Sequence, residues 1–254
     1  MLTNIFDSHS HYDDERFDAD RDALLSYLFS NGVSGIIHAS TDLKSAEFGI
    51  KYSEKFPLFY TSVGIHPENL SALSNDYLSK LEEYSRAPKV VAIGEIGLDY
   101  YWSKDNKDFQ KKVFEEQLAL SKKLDLPVIV HCREATQDCL ELLRKYRPNG
   151  VVHCFSGSAE TAKEVISLGM YIGFTGVITF PKSQKAQEAL GVVPPDRLLL
   201  ETDCPYMAPV PFRGKRSDSG MVSSTALKAA EIMGMTVQST LDITAQNAKT
   251  LFNI

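Results

Sequence analysis

Val128-Ile129-Val130-His131-Cys132-Arg133 decides the fold. The stretch opens on branched apolar residues with no polar alternation, the signature of a strand buried on both faces in a helix-covered parallel sheet, and it stops on polar side chains. Apolar runs of the same kind recur near residues 4–9, 34–40, 58–65, 90–95, 127–131, 151–154, 170–175 and 198–202. Between them lie amphipathic stretches at 20–30, 42–55, 108–124, 135–145 and 159–168, which predict helices. Strands alternating with helices require parallel crossovers, so the expected fold is α/β, a (β/α)8 TIM barrel. An open doubly wound sheet is the other architecture that alternates in this way, but ligands drawn from many strands converge more readily in a closed ring.

The ends of the runs carry the chemistry. Ile5-Phe6-Asp7-Ser8-His9-Ser10-His11, Val90-Val91-Ala92-Ile93-Gly94-Glu95, Val128-Ile129-Val130-His131, Val151-Val152-His153 and Leu198-Leu199-Leu200-Glu201-Thr202-Asp203 each finish on imidazole or carboxylate. Side chains alternate along a strand, so His9 and His11 face the same way. His9, His11, Glu95, His131, His153 and Asp203 together offer four imidazoles and two carboxylates, the donor set of a hydrolytic divalent-metal site. They exceed the needs of one open catalytic zinc and divide over two divalent ions with Glu95 between them. Mixed nitrogen and oxygen donors favour Zn²⁺ or Mn²⁺, with Mg²⁺ possible alongside water and phosphate. Asp203 is read as the group that orients and deprotonates the attacking water, because a carboxylate beside a dication stays ionised. Glu201 shares its parity but lies deeper, as a supporting group. His38 reads as a satisfied interior histidine.

Substrate contacts follow from the neighbouring positions. Arg133 lies two residues beyond His131, on the same side, and a guanidinium fork suits phosphate oxygens. Arg213, Lys215 and Arg216 form a second basic edge, and Tyr101 and Trp102 are placed to stack on an unpaired base. His66 ends Val63-Gly64-Ile65-His66-Pro67 with no second ligand on its strand, so it is expected to contact phosphate or act as an acid partner instead of binding metal. Cys132, Cys154 and Cys204 each follow a proposed ligand, and alternation turns them outward to pack against helices.

At 254 residues and 43% hydrophobic content, the chain suffices for one large core, expected as a single domain over 1–254. Its four cysteines have neither the density nor the spacing of a disulfide framework or zinc ribbon. No basic and apolar leader opens the chain, and no apolar run approaches the roughly 20 residues of a membrane helix, so a soluble cytoplasmic protein is expected. A formal charge of −6 excludes sticking to a polyanion over the whole surface but permits a local basic site. Nothing in the sequence points to an obligatory protein partner.

The runs Phe6-Asp7-Ser8-His9-Ser10-His11, Val63-Gly64-Ile65-His66-Pro67, Ala92-Ile93-Gly94-Glu95-Ile96-Gly97-Leu98-Asp99-Tyr100, His131-Cys132-Arg133, His153-Cys154-Phe155-Ser156-Gly157, Glu201-Thr202-Asp203-Cys204-Pro205-Tyr206 and Arg213-Gly214-Lys215-Arg216 resemble, in order, those of the TatD family of metal-dependent deoxyribonucleases within the amidohydrolase superfamily. The resemblance implies a binuclear barrel hydrolase that digests DNA, expected to work from an end. It implies that His9, His11, Glu95 and Asp203 surround one ion and Glu95, His131 and His153 the other, with His66 contacting substrate or leaving group. One departure stands out. Family members commonly continue with Asn-Glu-Pro, whereas Arg216 leads into Ser217-Asp218-Ser219-Gly220, which bears on the loop beside the site and on substrate preference. The competing class is an amide or ester hydrolase, such as a deacylase removing D-amino acids from tRNA, because such a site activates water for carbonyl carbon as well as phosphorus.

Overall fold

The computed structural model describes residues 2–102 and 104–254. Eight strands, β1 Ile5–Ser10, β2 Val33–His38, β3 Phe59–Val63, β4 Val90–Asp99, β5 Val128–Arg133, β6 Gly150–Val152, β7 Tyr171–Phe174 and β8 Leu198–Leu200, pair in sequence order. Every neighbouring pair is parallel. The ring closes through the chain just beyond β8: Ser10 bridges Cys204, His11 N–H donates to Cys204 O at 2.8 Å, and Asp203 N–H donates to His9 O at 2.9 Å. The fold is therefore the barrel expected from the sequence, not an open doubly wound sheet.

Helices α1 Arg21–Ser30, α2 Leu43–Lys55, α3 Tyr77–Tyr84, α4 Lys107–Leu124, α5 Thr136–Tyr146, α6 Ala159–Ser167, α7 Gln184–Leu190, α8 Val222–Met233 and α9 Val237–Phe252 join the strands, with short 3-10 turns in the connections. Three of the helix starts are capped by a side chain: Asp42 accepts from Ser45 N–H before α2, Ser158 from Thr161 N–H before α6, and Thr236 from Ser239 N–H before α9. Two apolar layers follow from strand alternation. Phe6, Ile37, Val91, Ile129, Val151, Tyr171 and Leu199 fill the barrel and meet Ala245, Ala248, Leu251 and Phe252 of α9. Their neighbours Ile36, Val128, Val130, Val152, Ile172, Leu198 and Leu200 belong to the second layer, against the helices.

Several boundaries depart from the sequence reading, and the departures shape the site. β6 and β8 stop at Val152 and Leu200, so His153 and Asp203 stand on the loops beyond them. β4 runs on to Asp99 after a register shift between Ile93 and Ile96. Its continuation depends on Gly97, whose φ is +146° and where a Cβ would lie 1.9 Å from His131 O. Helices α3, α7, α8 and α9 had no counterpart in the periodicity. The outward packing expected of the cysteines holds for Cys132 but not for Cys154. Cys154 has φ 44°, which ends the alternation, and its sulfur lies 3.7 Å from Thr175 Oγ1 and 3.6 Å from Met207 Sδ at the barrel mouth. Cys204 is buried where the chain closes on β1. Among the described residues no helix is long and apolar enough to cross a membrane.

Candidate metal centre and active site

Glu95 occupies the middle of the barrel mouth, and its two oxygens face different neighbours. Oε2 lies 3.3 Å from His9 Nε2 and 3.6 Å from His11 Nε2. Oε1 lies 2.8 Å from His153 Nε2, 2.9 Å from His131 Nδ1 and 3.4 Å from His66 Nε2. Asp203 Oδ1 completes the first side, 3.1 Å from His11 Nε2 and 3.7 Å from His9 Nε2. Ring nitrogens also face each other, His9 with His11 at 3.1 Å and His131 with His153 at 3.2 Å. The six residues read as ligands thus converge, in overlapping groups whose donor atoms lie within 4.8 Å of one another.

These separations fit a cation. Donors about 2.0–2.1 Å from a tetrahedral ion stand about 3.3 Å apart. The tautomers fit as well. His11 Nδ1–H donates to Ala39 O at 2.9 Å, so its Nε2 turns a bare lone pair towards the Asp203 carboxylate. His131 Nε2–H donates to Asp99 Oδ2 at 3.0 Å, and its Nδ1 turns a lone pair towards Glu95. Two electron-rich atoms at such distances need a cation or a proton between them. With no cation, protons fill the role: burial pushes His11 and His131 down, but the Asp203 carboxylate raises His11 to about 9, and Asp99 and Glu95 raise His131 to about 9. Burial likewise pushes Glu95 and Asp203 up, yet the surrounding imidazoles hold both below the usual carboxylate range, His153 first for Glu95 and His11 for Asp203.

His66 differs in its proton. Its Nδ1 accepts Glu68 N–H at 3.2 Å, which leaves the ring proton on the Nε2 that faces Glu95. Burial lowers its pKa and keeps it neutral. A donor, not a lone pair, therefore points at the cluster, although His66 lies close enough to group with Glu95 and His131. His38 stands apart, its Nε2 on Ser45 at 3.1–3.2 Å.

Three carboxylates behind the cluster were not assigned to it from sequence, or only loosely. Asp99 spends one oxygen on His131 and the other on the N–H groups of Tyr101 and Trp102, each at 2.9 Å, so it joins the metal side of the mouth to the aromatic loop. Glu201 accepts Cys154 N–H at 2.5 Å and approaches His153 Nδ1 at 3.6 Å, in space that Gly173 leaves free. Asp7 accepts Thr202 N–H at 2.9 Å, Thr202 Oγ–H at 2.6 Å and Ser219 Oγ–H at 2.7 Å, and so fixes the turn that carries Asp203. Ser219 belongs to the Ser217-Asp218-Ser219-Gly220 departure; that loop is locked in place, its Ser219 also meeting the Tyr12 hydroxyl at 2.8 Å.

The basic residues separate. Arg133 is exposed at the end of β5, its guanidinium 4.1 Å above the Tyr101 ring and 5.6 Å from that of Trp102. Tyr101 is therefore occupied in holding Arg133, while Trp102 remains 64% exposed. Arg213 lies 3.7 Å above the Phe180 ring. Arg216 stands apart from this group: both its Nη atoms donate to Asp20 at 2.7 Å and one also to Arg16 O, which ties it to the α1 side.

The family profile described as TatD related DNase matches residues 6–253. The chain belongs to the TatD-related DNase family. Its similarity to the uncharacterized metal-dependent hydrolase YabD of Bacillus subtilis is 39% identity over 253 residues, covering 98% of this chain and 99% of YabD. The 3'-5' ssDNA/RNA exonuclease TatD of Citrobacter koseri is 31% identical over 258 residues, with 98% and 99% covered. The solved structure of YJJV, a TatD homolog from Escherichia coli K12, superimposes with a TM-score of 0.93 at 32% identity over the whole of both chains. The chain is thus a metal-dependent hydrolase of this family, and its buried His, Glu and Asp cluster is able to bind metal.

Proposed function

We propose that this TatD-family chain is a binuclear metallonuclease that hydrolyses phosphodiester bonds of nucleic acid, DNA above all, from an end. The observation that carries the binuclear reading is the division of Glu95, one oxygen towards His9 and His11, which Asp203 also meets, and the other towards His131 and His153. His9, His11, Glu95 and Asp203 would hold one cation, and Glu95, His131 and His153 the other. Zn²⁺, Mn²⁺ or Mg²⁺ bound there would make water acidic enough to attack near neutral pH and offset the charge of the phosphate. Asp203, which a dication beside it would keep ionised, accepts the proton of the attacking water at a carboxylate oxygen. Glu95 keeps the two donor groups in register. His66 presents its Nε2–H to the mouth, where it donates to phosphate or to the departing oxygen. Arg133, flattened on Tyr101, offers a guanidinium fork to phosphate, with Arg213 as a second cation. The exonuclease name of the C. koseri relative supports the choice of substrate and of an end.

Digestion of end-labelled single- and double-stranded DNA and of RNA with Zn²⁺, Mn²⁺, Co²⁺ and Mg²⁺, with metal content measured in parallel, tests the reading. Metal-dependent shortening from one end is expected, with two ions bound per chain. Intact nucleic acid under every metal, together with hydrolysis of acylated substrates, would transfer the chain to the amide and ester hydrolases.

A further inference from the structure

The motifs that supply His131 and His153 contain residues with no part in the metal centre. Cys132, Phe155, Ser156 and Gly157 line one cavity of about 220 Å³ between α5 and α6, and His153 lines it too, so it begins where the metal centre ends. Its floor is apolar and buried, with Leu143, Val152 and Phe155 below, while the exposed Glu134, Thr136, Ser156 and Lys185 stand at the mouth. Gly157 gives Phe155 its place, since a Cβ there would lie 2.6 Å from the ring. An apolar wall with a few polar groups at the rim is the make-up of a small-ligand pocket. A cavity of about 150 Å³ holds benzene, so this one accepts a flat ring system but not a strand of nucleic acid.

The geometry points to a base pocket: the cavity receives the base of the nucleotide adjoining the cleaved bond, its ring on the apolar floor and its polar edge towards Ser156 and Lys185, with the sugar-phosphate left outside beside His153. The assignment rests on the nucleic-acid reading above. The rim selects a base over an aliphatic acyl group, because a base edge carries hydrogen-bonding atoms for Ser156 and Lys185 and an acyl chain leaves them unanswered.

Cys132 reports on occupancy. In the metal-loaded enzyme, iodoacetamide labelling of Cys132, read by peptide mass mapping, is expected to slow about tenfold with thymidine 5'-monophosphate and to change little with deoxyribose 5-phosphate or N-acetyl-D-leucine. Calorimetric titration of the same compounds reads the same contrast without labelling. Thr161→Trp fills the cavity from α6 and keeps the Ser158 cap, which is made to the Thr161 backbone. It is expected to weaken thymidine monophosphate about tenfold at unchanged metal content, and Lys185→Ala, at an exposed position, to weaken it in the same direction. Equal binding of deoxyribose phosphate, tighter binding of N-acetyl-D-leucine, or unaltered affinity in both variants would overturn the pocket. An enzyme that cuts DNA but shows one of these results loses the pocket and keeps the nuclease reading; an enzyme that cuts no nucleic acid loses both.

Discussion

Asp203 stands beyond β8 in a left-handed backbone conformation, φ 59°, with its N–H on His9 O and the preceding Thr202 clamped by Asp7. A carboxylate held so firmly beside His11 suits a base of fixed aim. Asp203→Asn keeps its volume and one weak oxygen donor but removes the base and a charge, so kcat is expected to fall by about two orders of magnitude or more. Steady-state rates at saturating metal, with circular dichroism as the check of folding, decide the point, and near-full activity would deny Asp203 its role. Asp99 works through another residue, positioning His131 by its Nε2–H. Asp99→Ala is expected to weaken metal binding by about 10–100-fold in competition with a chromophoric chelator. Asp99→Asn still offers an oxygen to His131 and should recover part of that loss, whereas equal affinities in all three proteins would leave Asp99 a merely structural role. The ligand candidates were legible because each ends an apolar run, where an unpartnered polar group is costly. Asp7 was not, because its partners Thr202 and Ser219 lie 195 and 212 residues away in sequence.

The elements deliver these residues through strand ends that periodicity reads only approximately. A run of apolar residues marks a strand's middle, but its end depends on which backbone groups find partners across the gap, and that is a property of neighbours. β4 illustrates this: the apolar signal fades at Glu95, yet Gly97↔His131 and Asp99↔Arg133 pairing carries the strand four residues further to Asp99. Gly97 is the hinge of that extension. Gly97→Ala would force a methyl group against His131 O at a backbone angle L-residues rarely adopt, so a loss of about 3 kcal/mol in urea unfolding is expected, with reduced metal content because His131 is displaced. A variant within about 0.5 kcal/mol of wild type and fully metal-loaded would show that the two strands part easily. The late helices escaped the sequence reading for a related reason. α7 has seven residues, too short for a clear period, and α8 buries mostly small residues such as Ala226, Ala229 and Ala230, which give little apolar contrast.

At the scale of the whole molecule, the closed parallel barrel was legible because alternation of strand and helix leaves few architectures and ligands from many strands meet best in a ring, while the contact that closes it was not, since the Ser10–Cys204 bridge lies outside any apolar run. Closure gathers polar groups inside the ring, and the stability of the chain must answer to their charge. His38 offers the cleanest view, because it lies outside the metal cluster. Its Nε2 is on Ser45, its Nδ1 has no partner, and burial, opposed by nearby Asp13, holds its pKa at about 4 against an ordinary 6.5. Between those values the unfolded chain takes up a proton that the folded chain refuses, so folding stability is lost as pH falls from 6.5 towards 4, by at most about 1.4 kcal/mol per pH unit. His38→Gln retains a donor for Ser45 and has no such proton to bind. The expected result is a wild-type stability advantage that shrinks steadily over this window, read from urea midpoints of the metal-free proteins. A difference between the two proteins that stays constant down to pH 5 would mean that His38 finds a partner for its second proton within the folded barrel.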